Sequence, residues 1–255
     1  MSIKKILIPL PAYGFDPTEV AIPWEILSSQ GFHIIFCTPG GKQAGADRLM
    51  LTGERLGIWK PVLRARKDAV AAYQEMETCN AFMNPSAYED LQEASFDALL
   101  LPGGHDKGVK EYLESTVLQR LVANFFIAKK PVGAICHGVV LAARSIDPGT
   151  GKSVLHNYQT TALLKTQEMT AYRLTRLWLN DYYLTYPGIT VEEEVTKALS
   201  ASHHFQSGPN PLLRDGPGHL ERGFTVQDKN YLSARWPGDA YSFSNQFAAM
   251  LGEDS

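Results

Sequence analysis

The sequence predicts an α/β fold, a doubly wound and mostly parallel sheet with helices on both faces. Three observations point there. Short, almost wholly apolar runs recur, which suits strands buried on both faces. Each run stops at proline or glycine, or at a sharp corner, and a segment of helical apolar spacing follows. One of these strand-to-helix corners, PVGAICHGVVLAARSI from Pro131 to Ile146, sets a cysteine beside a histidine.

Along the chain, KKILIPL is the first buried-strand run. DPTEVAIPWEILSSQGF follows as a helix, with Asp16 able to cap it, Pro17 suited to its first position and Gly31 ending it. HIIFCTPGG is the second strand, and strand-helix-strand opens a parallel α/β unit. Residues 42–95 are less periodic and read as an insertion, partly helical over KPVLRARKDAVAAYQEM. SFDALLLPGG is the clearest central strand, and EYLESTVLQRLVANFFIAKK reads as one amphipathic helix with basic residues in its last turn. After the Cys-His corner, KSVLHNYQTTALL reads as strand-rich, and TQEMTAYRLTRLWLNDYYL as a helix opening with Thr166 and Glu168. A second excursion is expected within 171–222, where 185–222 is rich in Pro, Gly and His. GFTVQDKNYLSARW reads as a hairpin and GDAYSFSNQFAAML as a terminal helix. One domain over 1–255 is expected, with the two insertions forming a cap.

The 255 residues are 44% hydrophobic and 20% charged, enough for a core without disulfides. A net charge of −3 gives no electrostatic reason to expect nucleic acid or an anionic membrane as partner. Three cysteines, Cys37, Cys79 and Cys136, are too few and too odd for a disulfide framework and fit a reducing, cytoplasmic setting. The apolar stretch Ile6–Leu10 is short and meets Pro11, unlike a signal-peptide core, and no window approaches the roughly 20 apolar residues of a membrane span.

The chemistry converges on Cys136. It falls at the C-terminal edge of a strand, where ligands gather in open α/β sheets. It also falls at a helix N-terminus, whose partial positive charge favours a thiolate. With Gly138 two residues on, the turn fits a nucleophile elbow carrying cysteine in place of serine. Backbone N–H groups of His137 and of Gly104, at the end of the preceding strand, are candidate oxyanion donors. Gly103 and His105 flank that second position and would line the pocket. His137 can move protons if an acid orients it. His203, His204 and His219 lie in the irregular region without zinc-like spacing, so no metal is expected, and no phosphate loop is present, so no nucleotide cofactor is expected.

AICHG after a LLLPGG strand resembles the PfpI/ThiJ superfamily, which spans PfpI-type intracellular peptidases, the Parkinson-associated deglycase and the heat-shock-protein-31-type glyoxalases. TEVAIPWEIL is similar to the family's first helix, TTALLKTQE to the stretch that ends in the triad acid of the heat-shock branch, and YLSARWPGDAYSF to the closing hairpin and helix. Trp236 departs from the glycine often found there. The resemblance covers 3–40, 95–170 and 223–251 and implies a flavodoxin-like sheet. It makes Cys136 the nucleophile, Glu19 a protonated acid hydrogen-bonded to the sulfur, His137 the proton shuttle and Glu168 the residue that orients it. Without the resemblance, Glu19 reads as a solvated helix residue and Glu168 as an acid at a helix start. Lys165 and Glu25 are the alternatives if the alignment slips.

What the resemblance implies is a cofactor-independent enzyme acting on small reactive carbonyls, of the glyoxalase III type, and a homodimer. The alternatives are an amidase, peptidase or isonitrile hydratase using the same thiolate, and a stress-response holdase or peroxide sensor. A glutaminase-like variant would draw on His219 and Glu221. The expected partner is a small carbonyl or amide compound, with no nucleic acid and no membrane.

Overall fold

The computed structural model describes residues 3–253 of the chain. The chain enters as β1 (Lys5–Pro9), then makes a short strand β2 (Tyr13–Phe15) before the helix Pro17–Ser29. Asp16 caps that helix, its Oδ1 accepting the N–H groups of Thr18 (2.7 Å) and Glu19 (3.2 Å), and Gly31 turns the chain at φ 86°. β3 (His33–Thr38) follows, then β4 (Gly45–Ala46), which pairs in parallel with β2. After β5 (Ser86–Ala87) come the buried strands β6 (Ala98–Leu101) and β7 (Val132–Ile135). A small hairpin, β8 (Ile146–Asp147) with β9 (Lys152–Ser153), stands apart. The hairpin of β10 (Thr225–Asp228) and β11 (Tyr231–Ala234) precedes the terminal helix Ala240–Glu253.

Seven strands form one sheet in the order β10-β11-β7-β6-β1-β3-β5, parallel throughout except for β10 against β11. Helices Pro17–Ser29, Lys67–Met76 and Ala240–Glu253 pack together in one layer. Thr116–Ile127, Gly138–Arg144 and Val191–Ala198 pack together in another. The fold is the expected doubly wound α/β sheet. The strand order departs in opposite directions from β1, to β3 on one side and β6 on the other. Such a switch leaves a crevice at the carboxyl ends of the strands.

Three sequence readings need correction. The segment 111–130 is not one helix: it breaks into Val109–Leu113 and Thr116–Ile127, because Ser115 Oγ accepts the Leu118 N–H (3.3 Å) and caps a new start. KSVLHNYQTTALL holds only Lys152–Ser153 in a strand, plus one bridge from Thr160 to Phe205. Its Val154, Leu155, Ala162 and Leu163 are buried as separate anchors and not along a ladder. The segments read as insertions also carry core structure. β5 extends the sheet, Tyr73, Met76 and Phe82 are buried, and Val191–Ala198 is a helix whose capping box joins Thr190 and Glu193.

Candidate active site

β7 ends at Ile135 and the chain turns through Cys136, whose φ of 57° lies in the left-handed region. A non-glycine residue there costs on the order of 1–3 kcal/mol and persists only where its surroundings hold it. Two restraints hold it here. The Cys136 N–H donates to Ala234 O (3.1 Å) on β11, and the helix Gly138–Arg144 begins at once. Position 138 accepts only glycine, since a Cβ would stand 2.0 Å from the Leu101 carbonyl oxygen of β6. The result is the nucleophile-elbow geometry.

The groups gathered at the elbow come from β6, β7 and the first helix. Glu19 is fully buried; its Oε2 accepts the Gly103 N–H (2.8 Å), and Oε1 has no nitrogen or oxygen partner. A Cβ on Gly103 would meet the His137 nitrogen at 2.6 Å, Glu19 Oε2 at 2.9 Å and Cys136 Cβ at 3.1 Å, so these groups converge on one point. Asp16 N–H donates to Gly103 O (2.9 Å) and locks the helix start to this loop. Cys136 Sγ lies 3.5 Å from His137 Nδ1. The Gly104 N–H makes no hydrogen bond among the described residues, and the His137 N–H faces the Cys136 sulfur. His105, also buried, sets its ring edge-to-face on His137 at 5.0 Å and on Tyr183 at 5.0 Å.

Burial, then the neighbouring Asp16 carboxylate, raises the Glu19 carboxyl well above the ordinary range, which favours its protonated form. Burial also pushes the Cys136 thiol up and the His137 imidazole down. His105 is lowered to about 4, first by burial. Burial thus favours the neutral form of each of these groups. The sequence expectation of a resting thiolate at a helix N-terminus is corrected: Cys136 is 1% exposed, and desolvation outweighs the dipole of a seven-residue helix.

Glu168 is also placed differently from expectation. It is buried, but its Oε2 accepts the Val191 N–H (3.0 Å), at the start of Val191–Ala198, and not an N–H of His137. His137 Nε2 has no partner. Burial lifts Glu168 to about 7. Of the alternatives, Lys165 pairs with Glu193 at the surface (2.6 Å), and Glu25 is an exposed residue whose carboxyl is raised by partial burial and by Glu75 and Asp68. His219 bonds Glu221 (3.0 Å) as an exposed pair, which leaves His137 as the imidazole at the sulfur. His203 and His204 meet edge-to-face, and no group of three or more metal-ligating side chains occurs among the described residues.

Beside the elbow lies a cavity of about 390 Å³. Asp16, Thr18, His105 and Glu168 reach it, whereas Cys136 does not line it. Much of the remaining wall comes from the two segments expected to form a cap. Sequence reasoning missed Tyr183, Arg214 and Thr18 in this wall, and Trp236 entered only as a departure from a pattern. The sole advance signal was Trp236 itself, a large side chain where a small one is common.

A protein-family model described as ThiJ/PfpI family-like matches residues 10–209. The chain belongs to the ThiJ/PfpI family. Among curated members, an uncharacterized protein of Schizosaccharomyces pombe, C14C4.04, is 34% identical over 123 residues, covering 48% of this chain and 45% of that one. The glutathione-independent glyoxalase hsp3102 of the same yeast is 23% identical over 157 residues, covering 61% and 62%. The chain thus spans about half to three-fifths of the length of these two relatives. Among solved structures, glyoxalase III from Candida albicans superposes with a TM-score of 0.69 at 19% identity, over 97% of both chains. The rapid encystment protein of Francisella tularensis gives 0.70 at 16% identity, over 98% and 99%. At these identities the superpositions establish the shared ThiJ/PfpI fold. No described helix is long and apolar enough to cross a membrane.

Proposed function

We propose that this protein converts 2-oxoaldehydes to 2-hydroxy acids without glutathione, with Cys136 as the nucleophile. The observation that carries the reading is the elbow itself. A cysteine at φ 57° stands 3.5 Å from an imidazole and beside a buried acid, with the His137 N–H directed at its sulfur and an unpaired Gly104 N–H on the adjoining loop. The glyoxalases named among its relatives support the same reading.

The thiol transfers its proton to His137 Nδ1 as sulfur bonds to the aldehyde carbon, giving a hemithioacetal. The Gly104 and His137 N–H groups receive the developing oxyanion. The protonated Glu19 donates to the sulfur, while Gly103 N–H holds its other oxygen. His137 passes the thiol's proton to the oxyanion and, neutral again, takes the proton from the former aldehyde carbon, giving an enediolate that it then reprotonates. That return, to the adjacent carbon, gives the 2-hydroxy thioester. One carbon is oxidised and its neighbour reduced, so the electrons balance within the substrate. Water then cleaves the thioester, releasing the 2-hydroxy acid and the thiol. Glu168 holds Val191 and the cavity wall, and is not the orienting acid.

The test is incubation of purified protein with methylglyoxal in the absence of glutathione, with lactate as readout. Lactate from the wild type and none from Cys136→Ser is expected. Equal yields from both would reject the reading.

A further inference from the structure

The most exposed large apolar side chains of the described residues are neighbours. Ile58, Leu177 and Leu212 are 82%, 87% and 85% exposed, and Val62, Leu213 and Trp178 are exposed beside them. Ile58 and Val62 stand one turn apart in the helical stretch 57–63. Arg214 donates to the carbonyl oxygens of Val62 (2.6 Å) and Leu63 (3.4 Å), which brings Leu212 and Leu213 alongside. Val62, Leu212 and Leu174 line one cavity, and Leu177 is one turn on from Leu174 along the helix Lys165–Leu179. Trp178 Nε1 donates to Arg55 O (2.6 Å), and the Arg55 guanidinium returns a bond to Trp178 O (3.2 Å), so the end of that helix is tied to the turn before Ile58. Apolar residues scattered singly over a surface need no explanation, but a linked group at the mouth of an apolar cavity marks a surface that something covers.

The same segments are basic. Residues 55–67 hold Arg55, Lys60, Arg64, Arg66 and Lys67 and no acid, and residues 169–180 hold Arg173 and Arg176 and no acid. Of these, only Arg66 forms an ion pair among the described residues, with Asp68 (2.7 Å). Arg55, Lys60, Lys67, Arg173 and Arg176 are exposed. The chain's net charge of −3 averages this excess away, which is why composition alone gave no sign of it. The charge selects the occupant. A second copy of the chain, pairing through this face, would set cations against cations. Nucleic acid would gain nothing from Ile58, Leu177 and Leu212, which neither stack on bases nor form hydrogen bonds. An anionic bilayer meets both demands, with hydrocarbon for the aliphatic side chains and phosphate for the basic ones.

We infer that this face docks on the surface of an anionic lipid bilayer, with Ile58, Val62, Leu177 and Leu212 entering the boundary between headgroups and acyl chains and Arg55, Lys60, Arg173 and Arg176 against the lipid phosphates. The chain lies on the bilayer and does not span it, since no described helix is long and apolar enough to cross. The inference is independent of the glyoxalase reading. Each basic residue held near an anionic membrane strengthens binding by about fivefold, so Lys60 and Arg173 together are worth about 25-fold. Insertion of three aliphatic side chains adds at least about tenfold.

The experiment is co-sedimentation of the full chain with vesicles of phosphatidylcholine, with and without about a third phosphatidylserine, at low and at high salt. Three variants accompany the wild type: Lys60→Gln with Arg173→Gln; Ile58→Ser with Leu177→Ser and Leu212→Ser; and, as a control away from this face, Lys129→Gln with Lys152→Gln. Every replaced side chain is exposed, and melting curves check that each variant is folded. The expected result is binding to the anionic vesicles alone, weakened by salt. It falls about 25-fold in the Lys60/Arg173 variant and at least about tenfold in the serine variant, and it is unchanged in the control. No sedimentation with anionic vesicles, equal binding to neutral ones, or an equal loss in the control would overturn the inference. So would self-association, or capture of a denatured protein, that the serine variant loses while no vesicle binding is seen, because the face would then serve another occupant.

Discussion

Replacing Glu168 by Gln separates a structural acid from a catalytic one. Burial lifts the Glu168 carboxyl from its ordinary 4.5 to about 7, while its Oε2 accepts the Val191 N–H. Between those two values the unfolded chain has released a proton that the folded chain retains. Unfolding then releases that proton, so stability declines as pH rises from about 4.5 to about 7 and is level above it. The gap corresponds to a loss on the order of 3 kcal/mol by pH 8. Gln keeps an oxygen for Val191 and never ionises, so the variant escapes this loss. Asp47 and Asp215, raised by burial to about 7 and about 6, impose declines of the same sign, but on both proteins alike. Urea denaturation at pH 4 and pH 8 gives the answer by difference. The two proteins are expected to match at pH 4, and Glu168→Gln to be the more stable at pH 8 by up to about 3 kcal/mol. Parallel pH profiles would refute the argument. Turnover in Glu168→Gln is expected to stay within about tenfold of wild type, because no hydrogen bond to His137 is lost; a fall of about a thousandfold would restore the role first expected for it.

Gly138→Ala drives a methyl group into the Leu101 and Pro102 backbone oxygens, at 2.0 and 2.8 Å, which cannot yield as a side chain would. A loss of at least 1–3 kcal/mol is expected in the denaturation midpoint, and a change below about 0.5 would contradict the elbow geometry. Arg235 and Asp239 form a fully buried pair with two bonds of 2.9 Å, and Asp239 also receives the N–H groups of Phe224 and Arg235. Arg235→Ala strands that carboxylate and is expected to cost about 3–5 kcal/mol, whereas a double replacement by apolar residues recovers much of it. Retention of wild-type stability in the single variant would show that Asp239 is solvated or neutral.

The parts of the fold that were legible share one property: their cause is local. Asp16 and Pro17 announce a helix start, and the LLL and VGAI runs announce strands too apolar to be exposed. Cys136 followed by Gly138 announces a turn that requires both. Ser115 was also a local cap, but the amphipathic pattern ran through it and hid the break. The Thr190–Glu193 capping box was present in the sequence and was masked by the Pro, Gly and His around it. Glu19 could not be told from a solvated helix residue, because its burial depends on Gly103, 84 positions later. The role expected of Glu168 failed for a related reason. Spacing along the chain placed it at a helix start, but the Val191 N–H, 23 positions later, takes its carboxylate. The cavity was least legible. Thr18, Tyr183, Arg214 and Trp236 share no period, and only the folded chain brings them to one wall.

The central claim is that carbon bonds to Cys136 during turnover. Rapid acid quench of the enzyme with methylglyoxal, followed by intact mass and peptide mapping, tests it most directly. The account predicts an adduct equal in mass to one substrate molecule on the peptide holding Cys136, absent in Cys136→Ser and with Cys37 and Cys79 unmodified. Turnover without any adduct on Cys136, or an adduct at another residue that tracks the rate, would contradict it.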